Sequence, residues 1–140
     1  MGKRFIIYGL LGFCMEVLWT GFGSLLKGDI KLTASTYVWM FFIYGLAVFL
    51  EPIHNRIRHL SFIIRGGVYM ILIFTIELLS GLLLKRIIGV CPWNYVTEPF
   101  TIYGIITLSY IPVWFTAGLI FEKVHDALIQ IENGLNLGKG

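Results

Sequence analysis

Two glutamates stand deep inside apolar stretches of this chain with no basic residue beside them. They are Glu16, in FIIYGLLGFCMEVLWTGFGSLL, and Glu77, in GGVYMILIFTIELLSGLLL. A carboxylate at bilayer depth costs about 2.5–3.5 kcal/mol on insertion scales, so it normally faces a protein interior and marks an ion or proton site. The chemistry within reach is cation binding or proton exchange. The structural alternative is a neutral glutamic acid that hydrogen-bonds a neighbouring helix, since burial disfavours the charged form. Two such residues in one short bundle, both beside small residues, favour the functional reading.

Other residues offer less. Glu51-Pro-Ile-His54 has the E-x-x-H spacing that puts both side chains on one helix face in di-iron bundles. A di-iron site needs that motif twice; taken as occurring once, it is not expected to hold a metal. Glu51 and His54 are expected instead to cap the end of the second helix, near Arg56, Arg58 and Arg65. The basic run from Arg56 to Arg65 suits anionic headgroups, at about 1 kcal/mol per basic residue near the surface, or serves as an orientation signal. Ser24, Ser61, Ser80 and Ser109 have no evident His-Asp partners, so no catalytic residue and no cofactor are assigned. A lipid-modifying enzyme could still use Glu16 or Glu77 as a general base.

The elements that must position these residues are membrane-spanning helices. Of 140 residues, 57% are hydrophobic and only 14% charged, against about 25% charged in soluble domains. Mean hydropathy is +0.81. The net charge of +3 comes from basic residues beside apolar spans, so no nucleic-acid partner is expected. Four stretches approach the roughly 20 residues that a spanning helix needs: about 5–26, 37–53, 66–84 and 101–121. The first reads as an uncleaved span, because Glu16, Trp19 and Phe22 interrupt any signal-peptide pattern. The fold class is therefore all-α, a polytopic bundle of four transmembrane helices over residues 1–123. Residues 124–140 are expected to form a short, partly disordered cytoplasmic tail. No repeat of fixed period stands out. Lys3, Arg4, Arg56, Arg58, Arg65, Lys123 and Lys139 fall on one side, and Lys27, Lys31, Lys85 and Arg86 on the other. That bias is expected to place both termini in the cytoplasm, and the membrane is expected to be a bacterial-type cytoplasmic one.

Steps of three and four residues define the inward faces. Glu16 shares a face with Gly9, Gly12, Thr20 and Gly23, and Glu77 with Phe74, Ser80, Gly81 and Leu84. Small residues let helices approach closely in lipid. Tyr44 in the second span, and Tyr110 and Trp114 in the fourth, form polar-aromatic stripes that could line one cavity with the two carboxylates. The segment CPWNYVTEPF cannot be continuously helical across Pro92 and Pro99. Its Trp93, Asn94 and Tyr95 read as an anchored outer turn or a re-entrant lid, with Trp93, Trp39 and Tyr103 as interfacial anchors.

The runs GFCMEVLWTG, STYVWMFFIYGLAVFLEP, IELLSGLLLKRIIGVCPWNY and FTIYGIITLSYIPVWFTAGLIFE resemble one family. It is the CmpB-like "putative ABC-transporter permease" family, which also includes the animal transmembrane protein 229. The shared residues run in order from Tyr8 to Glu122: Glu16, Tyr44-Gly45, Glu51, Glu77, Gly81, Cys91-Pro92-Trp93, Tyr95, Gly104, Trp114 and Glu122. The resemblance implies a small polytopic membrane protein of four or five helices, without a settled activity. This chain has Asn94 where the family usually has Asp, and Ser109 where an acidic residue often precedes the Tyr. No Walker-type phosphate loop is present, so any ATPase would be a separate subunit.

Three functions are consistent with these residues. The first is a transporter-like or channel-like protein in which Glu16 and Glu77 bind a cation or exchange protons. Thr20, Tyr44, Tyr110 and Trp114 would line its path. The second is a lipid-binding or lipid-modifying protein, with Arg56, Arg58 and Arg65 at the headgroup and Glu51 and Glu122 at the same cytoplasmic end. The third is a non-catalytic subunit of a larger complex. The partners expected are the lipid bilayer, a small or amphipathic substrate, and a second copy or a partner subunit.

Overall fold

The computed structural model describes residues 2–137, so Lys139 and the last three residues of the expected tail lie outside it. The chain is all-α apart from one minimal hairpin. Helix α1 (Gly2–Leu26) is followed by α2 (Val38–Gly45), a 3-10 stretch (Leu46–Leu50) and α3 (Glu51–Ile57), which together make one helical segment. Then come α4 (Phe62–Ile88), strands β1 (Thr101–Ile102) and β2 (Ile106–Thr107), a 3-10 turn (Leu108–Tyr110) and α5 (Ile111–Leu137). Helix α1, the segment 38–57 and α4 are each long and apolar enough to cross a bilayer. Their outward faces are apolar, with Leu10, Met15, Trp19, Phe22, Ile63, Ile71, Leu79 and Leu83 largely exposed. Such faces suit lipid, not water.

The second segment continues past its expected end near Glu51-Pro52, as far as Ile57. Pro52 lacks an N–H and crowds the preceding turn, so the helix tightens to 3-10 just before it and restarts with the proline in its first turn. Helix α4 extends beyond 66–84 at both ends and stops at Gly89, whose φ of 82° closes the last turn left-handed.

The fourth span differs most. Residues 101–110, expected to be helical, form the hairpin and the 3-10 turn. Tyr103 and Gly104 both have positive φ, 54° and 67°, and the Ile105 N–H closes the turn on the Ile102 carbonyl at 3.0 Å. That is the primed turn geometry which twists correctly between paired strands. Pro112 then stands in the first turn of α5, where a missing N–H does no harm. At the other end, residues from 124 onward continue α5 to Leu137.

Two non-helical segments, 27–37 and 89–110, turn back along the helices that precede them. Thr36 reaches Glu16, which lies ten residues before the end of α1, a retreat of about 15 Å. Ile105 and Trp93 pack on Gly81 of α4, seven residues before its end, about 10 Å in. The second segment is internally hydrogen-bonded. Tyr95 N–H donates to the Gly104 carbonyl, Leu108 N–H to that of Phe100, and the Thr107 hydroxyl to that of Pro99.

Glycines fix the close helix pairs. A Cβ at Gly9 would lie 2.6 Å from the Phe41 carbonyl oxygen, one at Gly45 2.6 Å from the Phe5 ring, and one at Gly12 would overlap Tyr44. In the same way Gly66 receives Phe115 and Gly118 receives Tyr69. So α1 packs on α2, and α4 on α5, through small residues, the usual device in lipid.

Candidate functional site

The interior holds two polar regions, one at the depth of the glutamates and one near the chain termini. In the first, Glu16 Oε1 accepts a hydrogen bond from the Thr36 hydroxyl at 3.0 Å. Its Oε2 is buried with no partner among the described residues. Glu77 is 6% exposed and accepts from the Trp114 indole N–H at 3.2 Å. The Tyr95 hydroxyl lies beside Glu77, and Tyr44 lies close to Glu16. No hydrogen bond joins the two glutamates, but they are within electrostatic range of each other.

The predicted stripe residues converge here. The Tyr110 ring meets Tyr95 edge-on at 5.3 Å, Trp114 at 6.0 Å and Trp19 at 6.4 Å. Thr20 is spent on backbone, donating to the Glu16 carbonyl at 3.0 Å and accepting from the Ser35 N–H at 3.2 Å. Of the outer-loop residues, Tyr95 turns inward. The exposed Asn94 accepts from the Val96 N–H at 2.9 Å and steadies the turn. Trp93 is 5% exposed and donates to the Ile105 carbonyl at 2.9 Å. It is therefore a buried strut, not an interfacial anchor, because Gly81 leaves room for its indole against α4.

The second region was underestimated from sequence. Glu51 and Glu122 both lie in it. They are ion-pair partners between helices. Glu51 Oε2 accepts from Arg4 at 2.8 Å and Oε1 from the Tyr8 hydroxyl at 2.9 Å. Glu122 accepts from Arg65 Nε at 2.7 Å and Nη2 at 3.1 Å, and the Tyr69 hydroxyl faces it. His125 Nδ1 meets the Tyr8 oxygen at 3.0 Å, and His54 Nδ1 meets the Tyr69 oxygen at 2.7 Å. Arg58 pairs with Asp126 and also reaches His54 Nε2 at 2.9 Å. Arg56 is exposed and forms no ion pair among the described residues. Among the described residues no cluster suits a metal ion, and the carboxylates here are held by guanidinium groups.

The signal that could have revealed this region is a repeated spacing. E-x-x-H occurs twice, at Glu51–His54 and at Glu122–His125. The helix before each copy carries R-x3-Y-x7-E: Arg4, Tyr8, Glu16 in α1 and Arg65, Tyr69, Glu77 in α4. The contacts repeat with the residues. Each tyrosine faces the glutamate of its own half and the histidine of the other half. Glu16 and Glu77 are thus the same position in two halves of the chain.

Long apolar helices around polar centres that no water-facing surface could bury define an integral membrane protein of the all-α class, set in a lipid bilayer. The sequence matches, over residues 4–136, the family described as "Putative ABC-transporter type IV", and the chain belongs to it. That confirms the family resemblance over nearly the whole chain and gives the protein its broad class, a membrane protein of ABC-transporter type. No solved structure matches the chain.

Proposed function

We propose that this chain is a small transporter-like or channel-like membrane protein in which Glu16 and Glu77 bind a cation or exchange protons. The observation that carries the reading is Glu16 Oε2, buried and unpartnered while its sister oxygen is held by Thr36. A carboxylate oxygen left bare in an apolar setting is unfavourable unless a cation or a proton fills it.

The helix starts support the same reading. Helix α2 begins two residues after Thr36, and Trp114 lies in the first turn of α5. Both helices therefore start at the depth of the glutamates, after non-helical backbone. Broken helices whose N-termini meet a polar site recur in transporters. A helix N-terminus favours nearby negative charge by about 0.3–1 kcal/mol, up to about 2 when partly buried. That offsets part of the insertion cost and keeps a carboxylate available to a cation.

In this reading Tyr44, Tyr110 and Trp114 line the path, with Thr20 supporting it through backbone. The segment around Trp93, Asn94 and Tyr95 covers the outer mouth. Both termini lie on the cytoplasmic side, and a second copy or a partner subunit completes the assembly. The lipid-headgroup reading is less favoured, because Arg58 and Arg65 are already engaged by Asp126 and Glu122. The test is flux of protons and monovalent cations into liposomes holding the purified protein. A Glu16→Gln, Glu77→Gln double variant should lose that flux. Wild-type flux in the double variant would end the proposal.

A further inference from the structure

The two buried histidines are unused by the proposed site, about 12 Å along α1 and α4 from Glu16 and Glu77 if measured from Tyr8 and Tyr69. Each is 2% exposed, and their rings meet edge-on with centroids 5.3 Å apart. Few groups that titrate near neutral pH are buried this completely and this close together. The hydrogen bonds fix where each imidazole carries its proton. Glu51 is an acceptor, so the Tyr8 proton points to it, and His125 Nδ1 must donate to the Tyr8 oxygen. His54 Nε2 has Arg58, which has only donors, at 2.9 Å and the Asp126 carboxylate at 3.4 Å; the nearer Arg58, itself paired with Asp126, donates to it, and His54 Nδ1 donates to the Tyr69 oxygen. Both rings are thus neutral with the proton on Nδ1 and a lone pair on Nε2.

The lone pairs are not equivalent. That of His54 is taken by Arg58, while that of His125 has no partner among the described residues. Around His125 stand Arg4 and Tyr8 from α1, Glu51 and His54 from α3, and Asp126 on its own helix. Around His54 stand Tyr69 and Arg65 from α4, Glu122, His125 and Asp126 from α5, and Arg58 just past the end of its own helix. A proton arriving on His125 Nε2 displaces no donor, and the resulting imidazolium lies 3.5 Å from Glu51. A proton arriving on His54 Nε2 must first expel Arg58. Once one ring is charged, the other is held neutral by like-charge repulsion across the short gap.

We propose that His54 and His125 form a one-proton binding site joining the two halves of the bundle, with Nε2 of His125 as the atom that takes the proton. The site is separate from the intramembrane glutamates and stands whether or not these carry ions.

The test is nitrogen NMR of full-length protein labelled with ¹⁵N-histidine in lipid bilayers, followed from about pH 8 to about pH 4. The third histidine, the exposed His59, is the internal reference. Three results are expected. His125 Nε2 gains its proton while His54 stays neutral. His54→Gln leaves the His125 transition in place, because the ring it removes stays neutral throughout. Tyr8→Phe, a conservative change, moves the same transition to lower pH, whereas Tyr69→Phe leaves it in place. The proposal is overturned if His54 protonates first, if both rings charge independently, or if neither changes across the range.

Discussion

Replacing Glu122 by Gln separates a buried ion pair from an exposed one. Glu122 is 5% exposed and holds Arg65 through two hydrogen bonds, with His54 Nδ1 at 3.5 Å. Gln keeps the shape but removes the charge, leaving a guanidinium that is itself only 22% exposed without its counter-ion. Breaking a buried pair from one side costs about 3–5 kcal/mol. Arg65 retains its bond to the Leu60 carbonyl at 2.8 Å, which places the expected loss near the lower bound, about 3 kcal/mol. At 1.4 kcal/mol per decade, that is about a 150-fold loss in the folding equilibrium. Glu132, which pairs with Arg4, is the comparison: its side chain is 45% exposed, so Glu132→Gln should change nothing measurable. Thermal unfolding of the purified protein in detergent, read by tryptophan fluorescence, should place Glu122→Gln about 10 °C below wild type. If both variants melted with the wild type, Glu122 would not be a buried partner of Arg65, and the reasoning about this end of the bundle would fail.

Three further outcomes follow from the same contacts. Burial holds the His125 imidazole below its ordinary value, with Glu51 acting against it and Arg4 in the same direction. The unfolded chain therefore takes up the proton first, so stability is full above about pH 6.5 and falls as the pH drops below it. A melting series should show that slope and His125→Gln should flatten it; an unchanged slope would clear His125 of the effect. Gly12→Leu drives a side chain into Tyr44 and should destabilise by about 1–3 kcal/mol, while Gly67→Ala meets open space inside α4 and should stabilise by about 0.5–1 kcal/mol. The reverse order in melts would mean that α1 and α2 do not pack through Gly12. Trp93→Phe leaves the buried Ile105 carbonyl without its donor, a loss of about 1–3 kcal/mol, and should speed amide exchange across 91–110. Unaltered exchange there would show that the strut does not hold the segment.

What sequence could and could not reveal follows from the range of each signal. Apolar runs are local, so the first three spans were legible. So was the close approach at Gly9 and Gly12, because spacing alone puts them on the Glu16 face. The fourth span misled because residues 101–121 carry no charge, and hydropathy cannot tell a hairpin folded back along α4 from a helix. The cues against a helix were small: Pro99, the turn at Tyr103-Gly104, and Pro112 placed to begin α5. The polar clasp near the termini was harder. Tyr8 meets His125 across most of the chain, and no local pattern foretells that pairing. The E-x-x-H at Glu122 was nonetheless visible and was missed. The segment between α4 and α5 is longer than that between α1 and α2, so the two copies do not recur at one fixed interval.

The division of labour between small and polar residues gives the architecture its logic. Within each half the fit is steric: Phe5 and Tyr44 fill the spaces at Gly45 and Gly12, and Phe115 and Tyr69 those at Gly66 and Gly118. Apolar contact alone gives little specificity in lipid, where the solvent is as apolar as leucine, so such fits set register inside a half. Between the halves a shared apolar cluster is joined by polar contacts: His125 on Tyr8, His54 on Tyr69 and Arg4 on Glu132. Hydrogen bonds and ion pairs are directional and titratable, whereas a glycine contact is neither. A change of protonation can therefore alter how the halves meet without disturbing how each is packed. The two glutamates occupy equivalent positions on the first helix of each half. A bundle designed only for rigidity could have used apolar side chains at all four histidine and glutamate positions. The buried pair that does cross between the halves is His54 with His125, and its protonation bears directly on how they meet.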